Sequence, residues 1–226
     1  MKNYALILAS GKGERFGGNL PKQFLKINKR TVLEYSIDAF ENNPNIDCII
    51  IVSNPDFLDL TSEIVNQNNY KKVIKILAGG KTRKDSSEIG INAIEEDDAK
   101  VLIHDAVRPL VTNRIIDDCI KALDEFDAVS VAVKSPDTIV TVDEKNIIQS
   151  IPNRNSVRRN QTPQCFKLKL IKQAHKLANE QNLTVTDDCG LVINTMPAKI
   201  FAVDGEDTNI KITYPEDLNF AEKFLK

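Results

Sequence analysis

The residues able to do chemistry cluster first in residues 8–22, LASGKGERFGGNLPK. Four glycines (Gly11, Gly13, Gly17, Gly18), two basic residues (Lys12, Arg15) and a Pro21-Lys22 pair share this stretch, which follows a short apolar run. Glycines directly after a strand let backbone N–H groups approach a polyphosphate closely. Cations beside such a nest neutralise its oxygens. Neither common phosphate loop fits. Phe16 stands where a dinucleotide fingerprint has its third glycine, and no Gly-Lys-Ser/Thr triplet closes the stretch. A solvated turn is the alternative reading of any glycine-rich loop; the density of cations favours phosphate.

Further clusters follow later apolar runs. Gly79-Gly80-Lys81-Thr82-Arg83 leads to Asp85-Ser86, where small residues would admit a flat base against the backbone and Ser86 could hydrogen-bond to it. An ordinary loop and helix cap explains the same residues. His104-Asp105-Ala106-Val107-Arg108-Pro109 puts a carboxylate at a strand tip, a natural Mg²⁺ ligand, and an Arg suited to a carboxylate or phosphate. The alternative there is an Asp–Arg surface pair worth ~0–1 kcal/mol. His104 reads as a packed or helix-capping histidine rather than a general base. Arg154, Arg158 and Arg159 crowd six residues, either an anion site or a solvated basic face. Lys211, in Asn209-Ile210-Lys211-Ile212-Thr213, follows the last strand region and could face the same cleft. The sum is a pocket of cations (Arg15, Lys22, Arg108, Arg154, Arg158, Lys211) with an Asp for metal. No Ser, Cys or His sits in a recognisable nucleophile context. That set suits direct phosphoryl-group chemistry, where positioning and charge neutralisation do most of the catalysis.

These residues need a scaffold that brings them to one edge. Strands are expected at residues 4–8, 48–52, 73–77, 101–104, 128–133 and 200–203, and helices at 32–40, 56–68, 82–94, 112–126, 166–179 and 215–224. Thr82 and Thr112 or Asn113 are candidate caps, and Pro215 suits a first helical turn. Short apolar strands alternating with helices argue for a mainly parallel sheet covered on both faces, with ligands at the carboxyl ends of its strands. Residues 138–142 and 147–151 break the pattern. They alternate around Asp143-Glu144-Lys145-Asn146 and read as a projecting hairpin, either a dimerisation arm or an ordinary sheet edge.

Bulk properties bound the partners. A chain of 226 residues suits one domain or one domain with an appendage. A net charge of −2 gives no global attraction to nucleic acid or membrane, so anion binding must be local. No apolar run is long enough for a signal peptide or a membrane span. Cys48, Cys119, Cys165 and Cys189 are dispersed without a C-x-x-C, as expected for reduced thiols of a cytoplasmic protein.

Taken in order, LASGKGERF, PKQF, GGKTRKDS, HDAVRP, PDT, TPQCF, TDD and NIKIT span nearly the whole chain. Together they resemble the cytidylyltransferases that activate polyol phosphates, whose branches act on 2-C-methyl-D-erythritol 4-phosphate or D-ribitol 5-phosphate. The resemblance implies an α/β fold, a single Rossmann-like nucleotidyltransferase domain over residues 1–226. A β-arm at about 135–160 would help to form a homodimer. The implied reaction converts CTP and a polyol phosphate to CDP-polyol and pyrophosphate with Mg²⁺. Ala9, Ser10 and Gly11, in the loop that carries Lys12 and Gly13, would contact the nucleotide. Arg15 and Lys22 would hold the triphosphate, and Lys211 would reach the α-phosphate. Gly79, Asp85 and Ser86 would frame cytosine. Asp105 would contact ribose or metal-bound water, and Ala106 and Arg108 would shape the polyol site. Thr138, Arg154 and Thr186 would bind the acceptor phosphate, in part across the dimer. The segment SIPNR before NQTPQ resembles the ribitol branch, so a ribitol-type acceptor is expected, as for surface-polymer precursors; the alternative is the methylerythritol acceptor of isoprenoid synthesis.

Overall fold

The computed structural model describes residues 1–13 and 20–225; Arg15, Gly17 and Gly18 lie outside the described residues. The chain begins with β1 (Lys2–Ala9), followed by a short antiparallel pair, β2 (Lys26–Ile27) and β3 (Arg30–Thr31). Next come α1 (Val32–Glu41), β4 (Cys48–Ser53), α2 (Leu58–Asn68), β5 (Val73–Ala78), α3 (Arg83–Asn92), β6 (Ala99–Asp105), α4 (Asn113–Ala122) and β7 (Ala128–Lys134). The last part holds β8 (Thr141–Val142), β9 (Ile148–Ser150), β10 (Arg158–Lys167), α5 (Leu168–Glu180), α6 (Asp188–Thr195), β11 (Ile200–Asp204) and α7 (Pro215–Glu222).

Seven strands form one sheet in the order β11-β7-β10-β6-β1-β4-β5. Its neighbours run parallel except where β10 pairs antiparallel with β6 and β7. The period of β1 shows why the sheet is covered twice. Ala5, Ile7 and Ala9 join a core with Leu33 and Phe40 of α1, Ile64 of α2 and Ile115 of α4. Tyr4, Leu6 and Leu8 join the opposite core with Ile91 of α3, Ile171 of α5 and Leu191 of α6. A strand apolar on both faces stabilises itself only between two helical layers. The expected mainly parallel α/β sheet, flanked by helices, is therefore what the chain forms.

Local signals fix several boundaries. Thr31 and Glu34 make a capping box at α1, and Thr82 and Asp85 make one at α3. Pro215 opens α7 as expected. Several elements differ from the sequence reading. The short pair β2 and β3 has no counterpart there, and residues 158–167, read as an arginine cluster and the start of a helix, form β10. Residues 188–195, for which no element was expected, form α6. In β10, Gln161, Thr162 and Gln164 are buried in the middle of the sheet, and its register shifts between Asn160 and Gln164. A polar, proline-containing segment lacks the apolar period of a strand. Its distant partners, described below, satisfy it instead.

The hairpin is present, with Thr141 opposite Ser150 and Val142 opposite Ile148. It leaves Ile139, Val140, Val142, Ile147, Ile148 and Ile151 exposed.

Candidate active site

The parallel register brings four strand ends level. Ala9 lies opposite Ser53, Ser53 opposite Ala78, and Leu8 opposite Asp105. A cavity of about 780 Å³ opens at this edge, lined by Ser10, Gly11, Lys12, Gly13, Lys22, Gly79, Gly80, Arg83, Asp105 and Lys211, among others. Its volume is that of a site for a sizeable small molecule.

The glycine walls are obligatory. A Cβ on Gly79 would sit 2.4 Å from Ser10 Cβ, and one on Gly80 would sit 2.4 Å from Asp85 Cβ. Gly13 has φ +74°, a left-handed conformation that glycine adopts without strain. The Ser10 hydroxyl donates to Ser86 Oγ (2.8 Å), which also accepts from Gly80 N–H (3.2 Å) and donates to the Thr82 carbonyl (3.0 Å). These bonds join the loop after β1 to the loop after β5. Gln23 pins the first loop from below, its Nε2 donating to the carbonyls of Ala9 (2.6 Å) and Gly11 (2.9 Å).

Charge at the cavity centres on Asp105. Its Oδ2 lies 2.8 Å from Lys211 Nζ and 4.0 Å from Arg108 Nε, and its Oδ1 lies 3.3 Å from Arg83 Nε. Burial disfavours the carboxylate, but Arg83, Lys211 and Arg108 outweigh it and hold Asp105 far below the usual carboxylate range. Arg83 in turn loses hydration, yet Asp188 and Asp105 keep it firmly protonated. Arg108 is shifted down, chiefly by burial. Its Nη1 donates to the Asn209 carbonyl (2.8 Å), which ties the segment before Lys211 to the tip of β6. Lys22 Nζ donates to the Ile212 carbonyl (2.9 Å). Two cations expected to serve one ligand thus flank the same cavity.

His104 behaves as scaffold. Thr162 Oγ accepts from Asp105 N–H (3.1 Å) and donates to His104 Nδ1 (3.0 Å), so Nε2 carries the proton donated to the Arg108 carbonyl (3.1 Å). Complete burial lowers its pKa to about 4 and keeps it neutral.

Other expected site residues stand apart from the cavity lining. Ala9 and Ala106 are buried beneath it. The Asp85 carboxylate caps α3 by accepting from Thr82 N–H (3.0 Å). Thr138 and Arg154 do meet, at 3.1 Å, on the exposed arm. Thr186 is exposed, two residues before Asp188. Arg154, Arg158 and Arg159 do not form one anion site. Arg158 donates to the carbonyls of Asn155 and Val157, and Arg159 pairs with Asp207. Among the described residues no group of three or more His, Cys, Asp or Glu could hold a metal ion. Gln23, Arg83, Asp188 and Gln164 escaped the sequence reading, although GGKTR, TDD and TPQ contain three of them. Nothing in those motifs announces that Gln164 and Asp188 are buried or that Arg83 joins two carboxylates.

The family model for 2-C-methyl-D-erythritol 4-phosphate cytidylyltransferase matches residues 4–226. A bifunctional ribulose 5-phosphate reductase/CDP-ribitol pyrophosphorylase of Haemophilus influenzae is 42% identical over 100% of this chain, which spans 48% of that protein. A 2-C-methyl-D-erythritol 4-phosphate cytidylyltransferase of Clostridium tetani is 39% identical, over 100% of this chain and 91% of the relative. The structure also resembles the 4-diphosphocytidyl-2C-methyl-D-erythritol synthase of Anaerococcus prevotii. That likeness has a TM-score of 0.89 and 33% identity, and covers 99% of this chain and 96% of that one. The chain belongs to the 2-C-methyl-D-erythritol 4-phosphate cytidylyltransferase family, a family of nucleotidyltransferases.

Proposed function

We propose that the protein transfers the cytidylyl group of CTP to the phosphate of 2-C-methyl-D-erythritol 4-phosphate. An acceptor phosphate oxygen attacks the α-phosphorus, the bond from that phosphorus to the bridging oxygen breaks, and pyrophosphate leaves with the electron pair. The observation that carries this reading is the cavity at the aligned strand ends, with glycine walls on two sides and Lys22 and Lys211 beside it. The base lies against Gly79 and Gly80, and Ser10, Gly11, Lys12 and Gly13 face the phosphates. Arg15 and Lys22 hold the triphosphate. Lys211 stabilises the crowded α-phosphorus, because preorganised cations in a partly desolvated site lower that barrier most. An ionised phosphate is already a nucleophile, so the neutral, saturated His104 is not needed as a base. Arg108 shapes the acceptor side with Ala106 buried behind it, and Thr138, Arg154 and Thr186, which stand apart from the cavity of their own chain, bind the acceptor phosphate in part across the proposed dimer.

The donor set at the strand ends suits Mg²⁺ held mainly by phosphate oxygens, with Asp105 as a supporting carboxylate. Bound there, Mg²⁺ would neutralise charge on the phosphates. The exposed aliphatic residues of the arm support a homodimer built through it. No helix among the described residues is long and apolar enough to cross a membrane, and all four cysteines are free, which supports work in the cytoplasm.

The ribitol-type acceptor expected from SIPNR becomes the second reading. The family model and the Clostridium tetani relative favour methylerythritol phosphate, while the Haemophilus influenzae relative keeps ribitol 5-phosphate in view. Pyrophosphate release is the test, with CTP and each acceptor in turn. The highest kcat/KM is expected with 2-C-methyl-D-erythritol 4-phosphate, and UTP and ATP should turn over far more slowly. Preference for ribitol 5-phosphate selects the second reading, and release with neither overturns both.

A further inference from the structure

Asp188 sits at the first position of α6, outside every role given above. It is 1% exposed, so burying its charge requires close partners. Its Oδ2 lies 2.6 Å from Arg83 Nη1, and its Oδ1 accepts from Ser87 Oγ at 2.6 Å. The backbone under it is held as firmly. Gln164 Oε1 accepts from the N–H groups of Asp188 (3.0 Å) and Cys189 (3.1 Å), while Gln164 Nε2 donates to the neighbouring Asp187 (2.7 Å). The result is a fixed anion, 105 residues away in sequence, gripping a guanidinium that lines the cavity. Arg83 spans the two carboxylates, with Nη1 to Asp188 and Nε to Asp105, and its Nη2 is buried without a hydrogen-bond partner among the described residues.

We propose that Asp188 is a positioning residue for nucleotide binding, acting through Arg83. With Asp188 in place, Arg83 is shared and its planar fork stays beside Gly79-Gly80, where the base and ribose of a nucleotide would lie. Without that anion, Arg83 has Asp105 as its one remaining carboxylate among the described residues and turns toward it. The fork leaves the cavity wall, and the Asp105 carboxylate is occupied more completely. The inference rests on the nucleotide reading of the cavity.

Equilibrium binding of Mg²⁺·CTP to the full chain, without acceptor, tests it. Asp188→Asn should raise the dissociation constant roughly tenfold in the otherwise unchanged protein, since charge-assisted bonds are about twice as strong as neutral ones. In an Arg83→Gln background the same change should have no further effect, because its route has already been removed. A merely structural role for Asp188 in seating α6 would instead add its full cost in both backgrounds, and that result overturns the proposal. So does wild-type affinity in Asp188→Asn. If Asp188→Asn does not fold, Ser87→Ala carries the test by loosening the same carboxylate. It should weaken binding a few-fold alone and not at all beside Arg83→Gln, and equal weakening in both overturns the idea. Absence of CTP binding by the wild-type protein is a different outcome, which defeats the nucleotide reading itself.

Discussion

Lys211 Nζ lies 2.8 Å from Asp105 Oδ2, joining residues 106 apart in sequence at the mouth of the cavity. The two ends of this pair are unequal. The Asp105 side chain is 9% exposed and has Arg83 and Arg108 as further partners, whereas the Lys211 side chain is 41% exposed. The lysine can therefore exchange one anion for another at small cost, and a triphosphate would draw it from the carboxylate.

Lys211→Ala should lower kcat roughly 10²-fold, as loss of a preorganised cation at a developing charge does. Stability should change by no more than about 1 kcal/mol, because a half-exposed pair is worth little and Asp105 keeps two arginines. Steady-state kinetics and thermal unfolding check the two halves. A kcat close to wild type removes Lys211 from the reaction.

Gly79→Ala tests the wall between the two loops. The added methyl meets Ser10 Cβ at 2.4 Å and Ser86 Oγ at 3.0 Å, so the Ser10–Ser86 hydrogen bond must break or the loops must part. Overpacking of this kind costs about 1–3 kcal/mol. Denaturant unfolding should show that loss, and the KM for CTP should rise at least several-fold.

His104 sets a pH dependence of stability. Its pKa is about 4 in the folded chain against 6.5 for a free side chain. Between those values the unfolded state binds the extra proton, so stability is fully present above about pH 6.5 and declines as pH falls toward 4. The decline from this group amounts to at most about 3 kcal/mol. Asp105, also depressed, adds a loss of the same sign only below the ordinary carboxylate range. His104→Asn should be less stable than wild type at pH 7.5 and should lose less between pH 6.5 and 4.5. Parallel curves for the two proteins would contradict this account.

Ile148→Glu on the arm tests the proposed dimer. A charge amid aliphatic residues cannot be buried against a second copy without large cost. Sedimentation should show a dimer for wild type and a monomer for the variant, with little change in unfolding of the monomer because Ile148 is exposed. Identical sedimentation of the two proteins would exclude the arm as the contact.

The sequence alone determined the alternation of strand and helix, the placing of glycine and cation clusters just after strands, and boundaries with local signals, such as Thr82 at α3 and Pro215 at α7. Those features depend on apolar period, backbone freedom and caps, all of which act within a few residues. Only the tertiary structure decided β10, α6 and the polar wiring between them. Gln161, Thr162 and Gln164 carry no strand pattern, and they are buried because Asn209, His104 and the start of α6 hydrogen-bond to them. The partnership of Arg83 with Asp188 was equally invisible, since the environment of a charged side chain is set by whatever the fold brings beside it. The segment SIPNR points to a ribitol-type acceptor, whereas the family model and the Clostridium tetani relative favour methylerythritol phosphate. SIPNR lies on the exposed arm, where few contacts within the chain constrain the residues.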